Sequence, residues 1–394
     1  MDKFIARFVV SLSLLTLAAC GSITRNPLPV EYHKEATVLG RTDLRYWGNN
    51  SHIENKNYAL SLLSAEDFKA RYAGVSGKPH NYLAVSGGGA NGAFGAGALV
   101  GWTATGTRPD FDIVTGISTG ALIAPFAFLG PDYDEQLKEV YTTLGTDRIF
   151  NIRNVFGIIG GDGLVDTTPF TRTLETYITD EVIAAIAREY RKGRMLLIGT
   201  TNLDASRPVV WNIGRMADTG HPDAPQLIRD VLRASASIPG AFPPVYIEVE
   251  ADGRKFDEMH VDGGTATQMF LYPSSLDWHE IHELLQIQGR PQAYLIRNSR
   301  VHTEYSPVSP RLSKISARSI DSLIRTQGVG DAYRIYAIAE RDGVDVKLTW
   351  IQRDAVEDNS DEAFDPDYMS KLFDYGYQRA VDGTLWKELD LEQP

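Results

Sequence analysis

Residues 113–129 read IVTGISTGALIAPFAFL, the segment of the chain that is most informative about its fold. An apolar run leads into Gly116-Ile117-Ser118-Thr119-Gly120, and an amphipathic segment follows. The pattern predicts a strand, a sharp turn and a helix, with the serine hydroxyl raised above the carboxyl end of the strand. The two flanking glycines let the backbone bend tightly without a Cβ clash. We therefore predict that Ser118 is a nucleophile; the alternative is a plain tight turn inside an α/β domain.

A second glycine-rich loop lies upstream. Residues 82–85 predict a short strand, which leads into Ser86-Gly87-Gly88-Gly89-Ala90-Asn91-Gly92 and then a helix of small residues. Consecutive glycines expose backbone N–H groups, and each preorganised donor lowers an acyl-transfer barrier by about 3 kcal/mol. We predict an oxyanion hole built from the amides of Gly87, Gly88 and Gly89, together with Thr119, the residue after the nucleophile.

The same loop has a competing interpretation as a dinucleotide-binding loop. Gly87-x-Gly89-x-x-Gly92 follows a strand, and an acidic residue, Asp112, lies about twenty residues further on. In a dinucleotide-binding fold the acidic residue that binds the ribose lies at the end of the second strand. Asp112 precedes the apolar run and therefore lies at the start of that strand. The position of Asp112 therefore favours the oxyanion hole.

A carboxylate completes the set of candidate catalytic residues. His260-Val261-Asp262-Gly263-Gly264 follows residues 255–261, which predict a strand or a hairpin arm. Gly263 and Gly264 let this turn approach another loop closely, so the Asp262 carboxylate can accept the proton of a serine hydroxyl directly. Taken alone, an Asp-Gly-Gly sequence is also typical of an ordinary turn.

Together these blocks resemble the patatin-like phospholipase family, which carries a glycine-rich oxyanion loop, a G-x-S-x-G serine and a D-G-G or D-G-A aspartate in this order. Residues 234–244, ASASIPGAFPP, look like the family's A-S-x-x-x-P-x-x-F-P segment. The resemblance covers about residues 80–265, and residues 364–377 look like a closing helix of some bacterial members. One departure is Asn91, where the family often has Arg or Lys. This puts in doubt any role of that side chain in anchoring the loop.

The resemblance implies a three-layer α/β/α fold with a mainly parallel central sheet. It also implies a lipid acyl hydrolase of the phospholipase A or lysophospholipase type. Ser118 would attack the ester carbonyl of a membrane phospholipid or another acyl-ester lipid, and Asp262 would act as the base. Such a dyad needs no histidine, no metal and no cofactor.

Two other interpretations stay open. An α/β-hydrolase triad in the order Ser, Asp, His would recruit His279, His282 or His302, although the first two fit a solvated helix face. They could also form a metal pair, but no third ligand with convincing spacing accompanies them. A surface lipoprotein that binds lipid without catalysis would keep the fold, but the retention of Ser118, Asp262 and the loop glycines argues against it.

The N-terminus predicts export. Lys3 and Arg7 precede an apolar run over residues 8–17, which is too short for a membrane-spanning helix of about twenty residues. The run ends in Leu17-Ala18-Ala19-Cys20, similar to a bacterial lipoprotein signal, and Cys20 is the only cysteine. We expect a lipidated Cys20 as the first mature residue. Gly21 after it favours the outer membrane of a Gram-negative bacterium.

Composition excludes several classes. The chain has 394 residues, 43% of them hydrophobic, which is ample for one large α/β domain. The formal charge is −12, and residues 1–19 carry a net +1, so the chain from Cys20 onward carries −13. Such a chain has no global attraction to nucleic acid or anionic lipid. Membrane contact is therefore expected from the acyl anchor and from apolar loops.

The predicted organisation is a signal peptide over residues 1–19, a tether and packing arm over 20–78, and a hydrolase domain over 79–394. Predicted strands lie at 82–85, 112–116, 195–200, 209–213, 245–249, 293–297 and 345–351, and predicted helices at 92–104, 119–129, 132–144, 168–190, 225–236, 311–339 and 367–381. The basic cluster at 188–194 is expected to end a helix, where cations complement the helix dipole. Residues 154–161 are expected to be a buried strand or packed loop, with a lipid-facing lip as the alternative.

Overall fold

The computed structural model describes residues 25–49, 64–154, 162–273, 278–302, 305, 307–358, 360 and 362–387. The predicted signal peptide, Cys20 and most of the apolar segment 154–161 lie outside these residues. Within the described part of the chain, no helix combines the length and apolar character needed to cross a membrane.

The structure is built on a nine-stranded sheet and a separate two-stranded hairpin. The sheet strands are β1 (Arg45–Trp47), β2 (Asn81–Val85), β3 (Ile113–Ile117), β6 (Met195–Asn202), β7 (Arg207–Asn212), β8 (Val245–Ala251), β9 (Arg254–Asp262), β10 (Gln292–Arg300) and β11 (Asp345–Ile351), and the hairpin is β4 (Asn151–Ile152) with β5 (Val165–Asp166). Five central strands are parallel, in the order β6-β3-β2-β10-β11. The prediction of a mainly parallel central sheet is therefore confirmed.

Antiparallel strands extend the sheet on the side of β6. Strands β7 and β1 continue it outward, while β9 also pairs with β6 and carries β8 as its hairpin partner. The β9 strand ends at Asp262. Because β9 pairs only with the last three residues of β6, its end at Asp262 lies opposite Thr200, one residue beyond the Gly199 that pairs with the last residue of β3.

Helices cover both faces of the sheet. They are α1 (Ala65–Arg71), α2 (Gly92–Ala104), α3 (Thr119–Leu129), α4 (Asp134–Thr143), α5 (Thr168–Tyr177), α6 (Asp180–Arg191), α7 (Ile213–Ala217), α8 (Ala224–Ser235), α9 (Trp278–Leu285), α10 (Leu312–Arg341) and α11 (Pro366–Val381). Alternate residues of β2 show the layering: Leu83 and Val85 join one hydrophobic core, and Tyr82 and Ala84 join the other. The sheet is thus the middle layer of an α/β/α arrangement.

The closing helix α11 packs tightly on α2 because both helices carry glycine at the contact. A Cβ on Gly97 or Gly101 of α2 would overlap the backbone of Phe373 or Tyr377, and a Cβ on Gly376 of α11 would overlap the backbone of α2. The small residues after the glycine loop therefore let the backbones of α2 and α11 approach each other closely. The helices predicted at 92–104 and 367–381 are both confirmed.

One predicted helix was wrong in its extent. Residues 168–190 form two helices, α5 and α6, instead of one. The reason is Thr179, which adopts an extended conformation and accepts a hydrogen bond at its side chain from the Val182 amide at 3.4 Å. A side-chain cap of this kind starts a new helix within an otherwise periodic segment. Ser64 caps α1 in the same way, because its hydroxyl accepts from the Asp67 amide at 3.1 Å.

Candidate active site

Ser118 lies on a strained turn between β3 and α3. Its φ is +55°, a left-handed conformation that costs a residue with a Cβ about 1 kcal/mol or more. Gly116 and Gly120 permit the turn, since a Cβ on Gly116 would overlap the Gly120 backbone. The side chain is 8% exposed at the N-terminus of α3. The predicted strand, turn and helix around Ser118 are therefore present, and the positive end of the helix dipole lies at the hydroxyl.

Sheet register places Asp262 beside Ser118. Ile117 pairs with Gly199 of β6, and the next residue of β6, Thr200, pairs with Asp262. The carboxyl ends of β3 and β9 therefore meet at neighbouring positions. The Asp262 carboxylate accepts a hydrogen bond from the Gly264 amide at 2.7 Å, and the Ser118 hydroxyl lies close enough to lower the pKa of this carboxylate by hydrogen bonding.

Burial controls the ionisation of Asp262. Removal from water raises its pKa from 3.8 to about 6, while the hydrogen bonds from Ser118 and Gly264 act in the opposite direction. A carboxylate with this pKa is ionised at neutral pH and is still a stronger base than an ordinary aspartate. The geometry and the pKa together suit direct proton transfer from a serine hydroxyl.

The segment 234–244 holds both residues in place. The buried Ser235 hydroxyl accepts from the Ser118 amide at 3.0 Å and donates to the Gly199 carbonyl at 2.6 Å. Two residues later, the Ser237 carbonyl accepts from the Asp262 amide at 2.8 Å. The sequence marked this segment only by resemblance; its physical role is to position the backbone of Ser118 and of Asp262 at once.

The glycine loop is fastened to the carboxyl end of β10 by Asn298, which sequence reasoning missed. The buried Asn298 side chain donates to the Ser86 carbonyl at 3.0 Å and accepts from the Gly95 amide at 3.0 Å. Its backbone amide donates to the Ser86 hydroxyl. A Cβ on Gly88 would overlap the Asn298 backbone, so only glycine fits there. The available signal was a polar residue directly after a buried parallel strand.

The loop amides are of two kinds. The Gly87 amide donates a long hydrogen bond of 3.4 Å to the Gln268 carbonyl, and a Cβ on Gly87 would lie 3.1 Å from the Ser118 Cβ. No hydrogen bond within the described residues uses the amides of Gly88, Gly89 or Thr119. In this conformation the free donors beside Ser118 are thus these three, whereas Gly87 mainly allows the loop to approach the serine.

Asn91 anchors the glycine loop without a charge. Its side-chain oxygen accepts a hydrogen bond of 2.6 Å from the Tyr368 hydroxyl on α11. The doubt about this position is thereby resolved, because an amide and a phenol make the link between loop and closing helix.

Neither His279 nor His282 lies at this edge of the sheet. Both are on α9, and the ring of His282 packs against Trp278, which in turn contacts Tyr82 near the start of β2. Ser118 lies at the opposite, carboxyl end of the parallel strands. Strands of five residues separate the two edges by about 17 Å. Both histidines were expected on a solvent-exposed helix face. His279 is exposed, as expected, but His282 is half-buried.

His260 is the histidine next to Asp262 in sequence, and it is fully buried. One ring nitrogen bonds with the Thr200 hydroxyl at 3.0 Å, and the other bonds with Glu258 at 3.1 Å. Glu258 also pairs with Arg45. Burial lowers the pKa of His260, although Glu258 opposes this shift. Both nitrogens are thus engaged in a structural network, and the ring makes no hydrogen bond to Asp262 or Ser118.

Asp112 lies at the amino end of β3, away from the glycine loop. It pairs with Lys78 at 2.9 Å and accepts from the Asn81 amide at 2.9 Å. A ribose held at the loop could not reach it, so the structure agrees with the rejection of a dinucleotide site.

A family match covers the part of the chain that holds the glycine loop, Ser118 and Asp262. Residues 83–271 match the family model of the patatin-like phospholipases. No curated protein matches the chain. Among solved structures, the crystal structure of VipD from Legionella pneumophila matches with a TM-score of 0.36 and 13% sequence identity, over 78% of this chain and 67% of that chain. The chain therefore carries a patatin-like phospholipase domain, which spans residues 83–271 and contains the glycine loop, Ser118 and Asp262.

Proposed function

We propose that this protein hydrolyses carboxylic esters of lipids with a Ser118–Asp262 dyad. The observation that carries the proposal is the placement of the two side chains together at the carboxyl edge of the sheet, where the Ser118 hydroxyl acts on the buried Asp262 carboxylate. Among the residues that the structure describes, no histidine is hydrogen-bonded to either side chain. The family match supports the broader class of lipid acyl hydrolase.

The proposed chemistry has two steps. The Ser118 Oγ attacks the ester carbonyl as its proton passes to Asp262, and the amides of Gly88, Gly89 and Thr119 stabilise the resulting oxyanion. Collapse of the intermediate expels the alcohol, which takes the proton from Asp262. Water then attacks the acyl-serine with Asp262 again acting as base, which releases the fatty acid and restores Ser118.

An apolar cavity beside the site supports a fatty-acyl substrate. Thr119, the residue after Ser118, contributes to its wall, and Leu122, Phe126, Phe170 and Met369 line it. Such a lining suits an alkyl chain, since removal of each CH₂ from water contributes about 0.8 kcal/mol. The test is a screen of phospholipids, lysophospholipids and neutral acyl esters for fatty-acid release; no release from any class would favour the non-catalytic lipid-binding alternative.

Removal of the Ser235 hydroxyl is expected to lower both activity and stability. In Ser235→Ala the buried Ser118 amide and Gly199 carbonyl lose their partner, at a cost of about 1–3 kcal/mol. We expect a lower melting temperature and a kcat reduced about tenfold or more through misplacement of Ser118.

Ser237→Ala is the matched control, measured in the same assays. Among the described residues its hydroxyl bonds only to the Arg233 carbonyl, and the variant keeps the backbone carbonyl that holds Asp262. An equal loss of kcat in the two variants would contradict a positioning role for the Ser235 hydroxyl.

We also propose that the protein is exported and anchored in the membrane through a lipidated Cys20, with the outer membrane as its location. Cys20→Ser is expected to remove lipidation and to shift the protein from the membrane to the soluble or unprocessed pool. Metabolic labelling with a fatty acid measures this directly. Label retained by the serine variant would refute the lipoprotein assignment.

A further inference from the structure

The first half of α10 stands away from the rest of the structure. The helix has 30 residues, and Gly328 is its first buried residue among those whose side chains are described. Five large apolar side chains before it are solvent-exposed, with Leu312 at 83% and Leu323 at 70%. They are Leu312, Ile315, Ile320, Leu323 and Ile324. Nothing in the described part of the chain covers them, which is unusual for an apolar face of this size.

These residues are arranged as one face of an amphipathic helix. With about 100° between successive residues, the five apolar side chains fall on one half of the helix. Three basic residues of the helix, Lys314, Arg318 and Arg325, fall on the opposite half together with one acidic residue, Asp321. A fourth basic residue, Arg311, directly precedes the helix in an extended conformation. Residues 311–325 thus carry a net charge of +3 in a chain whose formal charge is −12.

This helix half lies at the edge of the sheet that holds Ser118. Arg297, at the carboxyl end of β10, donates to the Arg325 carbonyl at 3.0 Å, and Gln268 contacts Gln327 at 3.4 Å. From there α10 runs back along the sheet to the start of β11 at Asp345. Its preceding residues therefore project beyond the carboxyl edge, by about 22 Å from Gln327 to Leu312.

We propose that residues 312–325 of α10, together with Arg311 directly before them, are an interfacial segment that docks the active-site edge on an anionic lipid bilayer. Its apolar face enters the boundary between head groups and acyl chains, and its basic residues bind the anionic head groups. The local positive charge beside an exposed apolar face favours this occupant, because an anionic bilayer offers an apolar layer and anionic head groups side by side. The docking itself does not depend on the proposed hydrolysis. Only the delivery of lipid to Ser118 as a substrate rests on that proposed function.

The basic cluster at 188–194 is a different kind of feature. Lys192 and Arg194 pair with Glu189, and Arg191 pairs with Asp218. The Arg194 guanidinium also donates to the buried Phe128 carbonyl. Three of the four basic residues of this cluster are thus paired within the fold, and Arg188 and Arg191 lie in the last turn of α6, which confirms the expected helix end. The cluster lacks an exposed apolar face like that of α10 and therefore serves as its control.

A fluorescent label reports insertion of the helix. In the full chain carrying Cys20→Ser, which leaves no other cysteine, Ser316→Cys places an environment-sensitive dye on the exposed apolar face. Ala184→Cys on α6 is the control position, also exposed. Vesicles of phosphatidylcholine and phosphatidylglycerol in equal amounts are expected to raise and blue-shift the emission at position 316 only. Pure phosphatidylcholine vesicles are expected to have little effect.

Charge removal gives the second arm of the experiment. Combined Arg311→Gln, Lys314→Gln and Arg318→Gln are expected to weaken vesicle binding reported at position 316 by about a hundredfold. The same number of changes at Arg188, Arg191 and Lys192 is expected to leave it unaltered. No emission change at position 316, an equal change at position 184, or equal binding to uncharged vesicles would overturn the proposal. A change that depends on protein concentration without vesicles would overturn it in favour of self-association.

Discussion

Replacement of Ser118 by alanine is expected to abolish ester hydrolysis while the fold is retained. The variant lacks the oxygen that accepts the acyl group, so kcat is expected to fall by about 10⁵- to 10⁶-fold. The backbone cost of the turn is unchanged, because alanine carries a Cβ in the same left-handed conformation. The melting temperature should therefore stay close to that of the parent chain.

Two measurements check this expectation: release of the alcohol from a short-chain ester, and covalent labelling by a fluorophosphonate. Ser206→Ala is the matched control, since Ser206 also has a positive φ, +53°, but lies on the turn between β6 and β7. That variant is expected to keep full activity and full labelling. Labelling of Ser118→Ala to the parent's extent would place the nucleophile elsewhere.

Asp262→Asn is expected to lower kcat/KM by about 10²- to 10⁴-fold, because the amide has nearly the shape of the carboxylate but cannot take the proton. The side-chain oxygen can still accept from the Gly264 amide, so the turn is preserved. Single His279→Ala, His282→Ala and His302→Ala variants are expected to keep activity within a fewfold of the parent. A histidine variant as inactive as Asp262→Asn would show that a triad performs the reaction.

The pKa of Asp262 gives the same experiment a pH dependence. Since burial raises that pKa to about 6, kcat/KM of the parent is expected to fall as pH drops below about 6 and the carboxylate becomes protonated. A decrease of kcat/KM centred near pH 4 instead would contradict the assignment of Asp262 as the buried base.

Stability is expected to change in the opposite direction to activity. Between pH 4 and 6 the folded state holds a proton on Asp262 that the unfolded state has released, so this group lowers the free energy of unfolding as pH rises. The rise in pKa from 3.8 to about 6 corresponds to about 3 kcal/mol, lost in full above the folded pKa. Asp262→Asn does not titrate, so it should be more stable than the parent at neutral pH and equally stable below pH 4. Denaturant unfolding at both pH values measures this.

The local structure of the site could be predicted from short segments of sequence. The turn at Ser118 follows from glycines between an apolar run and an amphipathic run, and the cap at Ser64 follows from Asp67 three residues on. The break at Thr179 was missed because the apolar period continues across it. Only the conformation of Thr179 and the hydrogen bond from the Val182 amide reveal a second helix start.

The side chains that position the site were not predictable in the same way. Asn298 lies about two hundred residues from the glycine loop, and Ser235 more than a hundred residues from Ser118. Their hydrogen bonds depend on which strands are neighbours and on the pairing register. A one-residue shift in the register of β10 would turn the Asn298 side chain to the other face of the sheet, whereas the place of Ser235 depends on the packing of α8 against β6.

The sequence by itself determined the chemistry of the candidate site: a serine on a turn that requires glycine, a loop rich in free amides, and an aspartate before two glycines. These are local properties, set by steric limits on φ and ψ and by side-chain type. Only the tertiary structure decided that Thr200 pairs with Asp262 and so brings the carboxylate to Ser118, and that burial raises its pKa. Both depend on non-local sheet pairing and on exclusion of water, which no single segment of the chain specifies.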